Sequence, residues 1–334
     1  MMTYCHSERQ RRFFFLLAFS LLLSLAGCKR MPLYDKEKTL ELKLSLNLKL
    51  QVDVDISINT DIVMEAATIN VPDYLKACFY LPENNKMTYS TFVESSGGEL
   101  SLASGIYDCL VYSFGTEYVQ IRGEGDINTI EAFTSDITDL KKSTLTKFAS
   151  TKSQDDPIIF APDHLLVAQE RVEIPEFSGQ SQTITIYATA TTIVETYSFE
   201  VHSVIGAEYI ESAEAFVTNQ ASSSFFGRGE VNPTPATIYF PIGVDRTKGC
   251  LYTVFNTFGK LPGTSESYLH ILIKDTGGQE YTITTDITDQ FENPEHHIVI
   301  EEEVERPEPE AYGGGGIAPT VDPWNEENHD VPIG

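Results

Sequence analysis

The sequence predicts an all-β chain of two tandem β-sandwiches with few short helices, and three observations carry that prediction. From Leu40 to Ile58 every even position is apolar and every odd position is polar. The aromatic residues are 16 Tyr and 19 Phe against one Trp, set among many Thr, Val and Ile, the side chains that strands favour. The second half then offers about eight short apolar or alternating runs spaced by turn residues. At 334 residues there is room for about two domains, and a hydrophobic content of 41% excludes a chain disordered throughout.

The amino-terminal residues read as an address. Arg9, Arg11 and Arg12 give a positive start, and Phe13 to Leu25 is an apolar run of 13 positions broken by Ser20 and Ser24. A spanning helix needs about 20 apolar residues, so residues 1–27 read as a signal peptide. The run closes on Leu25-Ala26-Gly27-Cys28, which resembles a bacterial lipobox with cleavage between Gly27 and Cys28. Lipid on the Cys28 thiol would hold the chain in a bilayer, each buried methylene adding about 0.8 kcal/mol. Residues 28–38 form the tether that follows, and Lys29 in place of Asp suits passage to an outer membrane.

The alternation from Leu40 to Ile58 puts one face on a core and the other in water. Fully extended it would span roughly 65 Å at about 3.4 Å per residue, against ~17–20 Å for a typical strand. It must bend, bulge or change partners. Further strands are expected at Leu75–Leu81, closed by Pro82-Glu83-Asn84-Asn85, and at Glu99–Leu102, Gly105–Phe114 and Glu117–Arg122. Thr134–Phe148 is the helix candidate, with Ser135 as cap, acids near its start and lysines towards its end. Ala149–Asp163 reads as the joint, which divides the chain into sandwiches over 39–160 and 161–302.

The second half supplies strands at Gln182–Ala190, Ile193–Val204, Glu211–Thr218, Ala236–Phe240, Cys250–Phe258, Ser267–Lys274, Tyr281–Ile287 and His297–Ile300. Asp275-Thr276-Gly277-Gly278 is the hairpin turn between two of them. Tyr209–Val217 has a helical stripe, but its neighbours favour a strand. Residues 303–334 read as a disordered tail; from 301 onward ten acids face Arg306 alone, with five prolines, Gly313–Gly316 and the single Trp324.

Lys and Arg number 23 against 49 Asp and Glu, a net charge of −26. Signal cleavage makes the mature chain two charges more negative, by removing Arg9, Arg11, Arg12 and Glu8. Such a surface excludes nucleic acid and charge-driven docking on anionic lipid. Cys78, Cys109 and Cys250 remain beside Cys28. They read as small buried thiols, with a Cys78–Cys109 bridge between neighbouring strands left open, and none has zinc-ligand spacing.

The search for chemistry returns no Gly-x-Ser-x-Gly, no P-loop and no His-Glu-x-x-His. His296 and His297 adjoin on a strand and point to opposite faces. Gly227-Arg228-Gly229-Glu230 reads as a turn rather than a phosphate loop. Asp53 with Asp55, and Asp286 with Asp289, have oxygen chemistry that suits calcium but lack the spacing of a defined loop. No catalytic, cofactor or metal residue is assigned.

Several segments nevertheless occur together in order. The lipobox with Cys28, Ser101-Leu102-Ala103-Ser104-Gly105-Ile106-Tyr107-Asp108, Pro162-Asp163-His164-Leu165-Leu166-Val167-Ala168, Phe255-Asn256-Thr257-Phe258-Gly259 and Ile287-Thr288-Asp289-Gln290-Phe291 resemble the fimbrillin superfamily. The likeness covers most of 28–302 and is nearest to the anchor-type (minor fimbrial subunit) lipoproteins of Bacteroides-type bacteria, including members known only as domains of unknown function. It implies two Greek-key, transthyretin-like sandwiches, no catalytic residues, and assembly by strand exchange between subunits. A non-enzymatic outer-membrane lipoprotein facing the cell exterior is therefore expected, an anchor or accessory subunit of a fimbria-like assembly that binds its partner by strand addition. The other expectation is a surface glycan-binding lipoprotein using Tyr107, Tyr112, Tyr118, Tyr239 or Trp324 as a stacking platform.

Overall fold

The computed structural model describes residues 39–48, 69, 71–148, 156–176, 184–202, 204–261, 266–292, 296–300 and 304–305. Its strands, in order, are β1 (Thr39–Leu48), β2 (Tyr74–Leu81), β3 (Lys86–Glu94), β4 (Gly97–Ala103), β5 (Gly105–Tyr112), β6 (Gln120–Arg122) and β7 (Glu131–Phe133). After the one α-helix among the described residues, α1 (Thr138–Leu145), come β8 (Ile158–Phe160), β9 (Leu166–Ile174), β10 (Ile184–Thr192), β11 (Glu195–Val201) and β12 (Val204–Ile205). The remainder are β13 (Ile210–Ala221), β14 (Ser223–Phe225), β15 (Glu230–Val231), β16 (Pro235–Asp245), β17 (Cys250–Thr257), β18 (Tyr268–Asp275), β19 (Glu280–Asp286), β20 (His297–Ile300) and β21 (Val304–Glu305). The all-β class and its two large cores are as the sequence predicts.

The first sheet closes on itself in the order β1-β10-β9-β5-β2-β3-β4. Period two explains its core. Leu75, Ala77 and Phe79 of β2 face Tyr107, Cys109 and Val111 of β5 inside the barrel, with Leu100, Leu102, Leu166, Ala168, Ile186 and Ala188. Phe79 meets the edge of Tyr107 at 6.2 Å and a tilted Tyr89 at 5.9 Å. Asn85, at φ 62°, completes the turn after β2, where its N–H bonds the Leu81 carbonyl.

The second sheet runs β19-β18-β13-β16-β17-β11-β20, with β8 alongside β16. Its core holds Tyr197, Phe199, Val217, Ile238, Phe240, Leu251, Phe255 and Ile271, and the Phe240 and Phe255 rings stack at 4.3 Å. On its other face Leu145 and Phe148 of the α1 segment pack over Phe216 and Leu272.

The division between sheets does not fall at residue 160. β9 returns to the barrel against β5, from Gly105↔Ile174 to Tyr112↔Val167, and β10 follows it there. β8, on the other side of the expected joint, belongs to the second sheet. A third, four-stranded sheet in the order β15-β14-β7-β6 takes strands from both halves, so the two bodies are clasped rather than strung on a linker.

Other local expectations shift. The helix is shorter than 134–148, and Ser135 does not cap it: the Ser135 hydroxyl accepts from Gln120, while Asp136 Oδ1 accepts from the Thr138 N–H and hydroxyl. The strand expected at Glu117–Arg122 is confined to β6. The stretch at Tyr209–Val217 is a strand, as expected, with β13 starting at Ile210 after a 3₁₀ turn at Ala207–Tyr209. Strand pairing reaches into the expected tail, since β21 pairs in parallel with β12. Residues 49–68, including Asp53 and Asp55, lie outside the described residues, as do Gly27, Cys28 and Trp324.

Candidate assembly interface

β1 closes the barrel. It lies between β4, antiparallel from Thr39↔Ala103 to Ser45↔Gly97, and β10, parallel from Leu42↔Ile184 to Leu48↔Ala190. The register sets Leu44 opposite Ile186 and Leu46 opposite Ala188, and those β10 side chains are buried in the barrel core. The even-numbered leucines thus occupy the core register, as the alternation requires. The ring is completed at two narrow corners, where β4 meets β3 at Glu94↔Gly97 and β10 meets β9 at Thr191↔Val167 and Thr192↔Leu166. The strand that seals it is also the one nearest the tether.

The outer face of β2 and β5 carries the seam to the rest of the molecule. Cys78, Tyr80, Leu110 and Tyr112 are covered there by Ile127, Ile130, Ala132 and Phe226. Glu124 sits at the edge of this seam, accepting from Lys76 Nζ at 2.7 Å and from the Tyr112 hydroxyl, and its backbone carbonyl accepts from Tyr80 at 3.0 Å. Burial pushes the Glu124 carboxyl up, but the hydrogen bonds from Lys76 and Tyr112 and the lysine charge outweigh it and hold it below its ordinary value. Burial raises the Tyr112 phenol, and the hydrogen bond to Glu124 raises it further.

Glu131 performs the corresponding task in the clasp sheet. It is 5% exposed and accepts from Ser223 at 2.5 Å, from Arg122 at 2.6 Å and from Asn232 at 3.3 Å. Burial raises its carboxyl, yet Arg122 and Ser223 bring it below the ordinary range. The Gly227–Glu230 segment is a turn, as expected. A Cβ on Gly227 would fall 2.1 Å from the Ile127 carbonyl oxygen, so only glycine lets the second half approach the first this closely.

The other sequence candidates are dispersed. Tyr107 and Tyr112 are buried in the barrel core and the seam, so neither offers a ring face. Tyr118 is half-buried and stacks on Phe160 at 4.8 Å, which meets the half-buried Tyr239 at 6.0 Å, with Lys141 Nζ 4.1 Å from the Tyr239 ring centre. Asp286 turns back on Thr288, accepting its N–H and hydroxyl. His164 is bonded to Thr192, His202 pairs with Glu200 at 3.0 Å, and His296 stacks on Tyr197 at 4.5 Å. Among the described residues no three His, Cys, Asp or Glu side chains converge as a metal site.

Among the described residues β19 and β20 are the two end strands of the second sheet. The sequence signalled the hairpin that makes β19, but not that nothing described pairs beyond it. Asp275 explains the hairpin. Its Oδ1 accepts the Gly277 and Gln279 N–H groups, and Gly278 takes φ 81°.

Comparison with known proteins follows this architecture. The chain is 26% identical over 362 aligned residues to the Bacteroides ovatus protein named "Putative fimbrium anchoring subunit Fim4B", covering 97% of this chain and 99% of the relative. The crystal structure of a "putative adhesin" from Bacteroides ovatus superposes with a TM-score of 0.52 at 18% identity, over 79% of this chain and 93% of that one. The fimbrial anchor protein Mfa2 of Porphyromonas gingivalis aligns more loosely, with a TM-score of 0.43 at 15% identity over 75% of this chain and 83% of its own. The family model described as Domain of unknown function (DUF5119) matches residues 48–241, more than half of the sequence, and the chain belongs to that family.

Proposed function

We propose that this chain is a non-enzymatic, lipid-anchored outer-membrane protein that serves as anchor or accessory subunit of a fimbria-like surface assembly. The observation that carries the reading is the end-to-end likeness to a relative named as a fimbrium anchoring subunit. In this reading Cys28 of the lipobox-like run carries the lipid after cleavage behind Gly27, and the chain faces the cell exterior. A fimbrial subunit is the partner, joined by main-chain hydrogen bonds along a strand. The retained β1 supports a terminal anchor over a shaft subunit, because it fills the place between β4 and β10 that an incoming strand would take. Deleting the gene should release, lengthen or abolish surface filaments. Unchanged filaments, with no pilin co-purifying with the protein, would refute the role.

The half-buried row of Tyr118, Phe160 and Tyr239 favours a second reading, a glycan-binding lipoprotein. Affinity electrophoresis decides it: retardation by a polysaccharide that Tyr118→Ala relieves supports it, and no retardation across a broad panel removes it.

A further inference from the structure

We infer that β1 is a mechanical clamp: a pull entering through the tether meets it along the strand axis, in shear, so that its hydrogen-bond ladders must fail together. This rests on the anchoring role proposed above and says which element of the fold carries the load.

The direction of the load follows from where the chain enters and leaves the barrel. The tether ends at Thr39, opposite Ala103, while β1 finishes at Leu48, opposite Ala190. The chain passes between the barrel and the rest of the molecule at that second end. There β5 finishes with Tyr112↔Val167, β9 begins at Leu166, and β10 ends at Thr192, the partner of Leu166. β10 then continues through Ile193 and Val194 into β11 of the second sheet. The tether thus draws on the first residue of β1, and the second sheet holds the last residue of β10.

Those two strands are parallel, from Leu42↔Ile184 to Leu48↔Ala190, and they are drawn from opposite ends. Hydrogen bonds between strands run across them, so a pull along the strands strains every bond of the ladder at once. Opening from one end would break each pair before the next is loaded. β4 adds a second ladder on the other side of β1, from Thr39↔Ala103 to Ser45↔Gly97, so Leu42 to Ser45 are paired on both sides. The narrow corners of the ring need not carry the pull, because β10 is continuous in the chain with the second sheet. At the other end of the described residues β21 meets β12 only at Val204↔Val304 and Ile205↔Glu305. The longer ladders stand where the lipid would pull.

The test stretches the mature chain, residues 28–334, made without lipid, in an optical trap with one handle on the Cys28 thiol. The second handle is carried by Thr191→Cys, exposed at the far end of β10, or by Ser104→Cys, exposed beside Ala103 at the tether end. Cys78, Cys109 and Cys250 are buried and are spared by the coupling. The Thr191 handle loads β1 in shear and should need several-fold more force at rupture than the Ser104 handle, which peels it. Lys43→Pro takes a backbone N–H from the ladders and should lower the shear force. Leu44→Ala, a milder change on the same strand, should lower it as well and serves if the proline prevents folding. Phe255→Ala empties volume in the second core, so it should lower the melting temperature and leave the shear force as in the parent. Equal forces with the two handles, or a shear force that falls with Phe255→Ala and ignores the β1 variants, would overturn the clamp. Either result is read on the isolated chain and leaves the anchoring role standing. Filaments unchanged by gene deletion would remove that role and leave a measured clamp in place.

Discussion

Cys78 and Cys109 stand on neighbouring strands one step out of register, Cys78 opposite Leu110 and Cys109 opposite Phe79. With a side-chain period of two, that single step puts them on opposite faces of the barrel wall. Cys109 faces the barrel core, and Cys78 the seam, where its sulfur lies 3.8 Å from the Tyr112 hydroxyl. A bridge between them is geometrically barred.

Burial also raises both thiols, Cys109 to about 12, and it raises Cys250. Thiolates are therefore scarce at neutral pH. Iodoacetamide should label none of the three in the native protein and all three after denaturation without reductant. A mass shift that requires reductant would contradict the free-thiol assignment.

The barrel core predicts a large cost for Phe79→Ala. Phe79 is fully buried between Tyr89 and Tyr107, and emptying that volume should cost about 3–5 kcal/mol, read as a lower urea midpoint with an unchanged m-value.

β1 gives a paired test of facing. Leu44 holds a register position opposite the buried Ile186, whereas Glu41 holds the alternate register opposite the exposed Ser101. Leu44→Asp should destabilise by at least about 3 kcal/mol, and Glu41→Ala should stay within about 0.5 kcal/mol of the parent. Equal effects in chemical denaturation would show that β1 does not seal the core.

His270 predicts a pH dependence. It is fully buried beside Phe148, its Nδ1 lies 2.9 Å from the Thr284 hydroxyl, and burial lowers its pKa to about 4. The unfolded chain takes up this proton near pH 6.5 and the folded chain only near 4, so stability is lost as pH falls between those values. The loss is on the order of 3 kcal/mol from this site. His270→Gln should therefore show a shallower fall in unfolding free energy from pH 7 to 4 than the parent.

What was legible in the sequence was mostly local. The Asp275–Gly278 turn needs only a carboxylate to accept two N–H groups and a glycine at positive φ, and both are written in four residues. The strands around Phe79 and Tyr107 declared themselves by alternation. The parallel pairing of β1 with β10 did not, because it joins Leu42 to Ile184 across 142 positions and depends on which strands remain unpaired. The same non-local choice sent β9 and β10 back to the barrel. Tyr112 stood among the candidates for a stacking platform, yet the clasp sheet, built from both halves, covers it together with Tyr80.

The claim on which the functional account depends is that acylated Cys28 ties a fimbrial assembly to the outer membrane, and fractionation of cells carrying Cys28→Ser tests it most directly. The account predicts that the variant leaves the outer-membrane fraction and that fimbrial subunits leave with it. A variant that stays in the outer membrane, with filaments attached as in the parent, would contradict it.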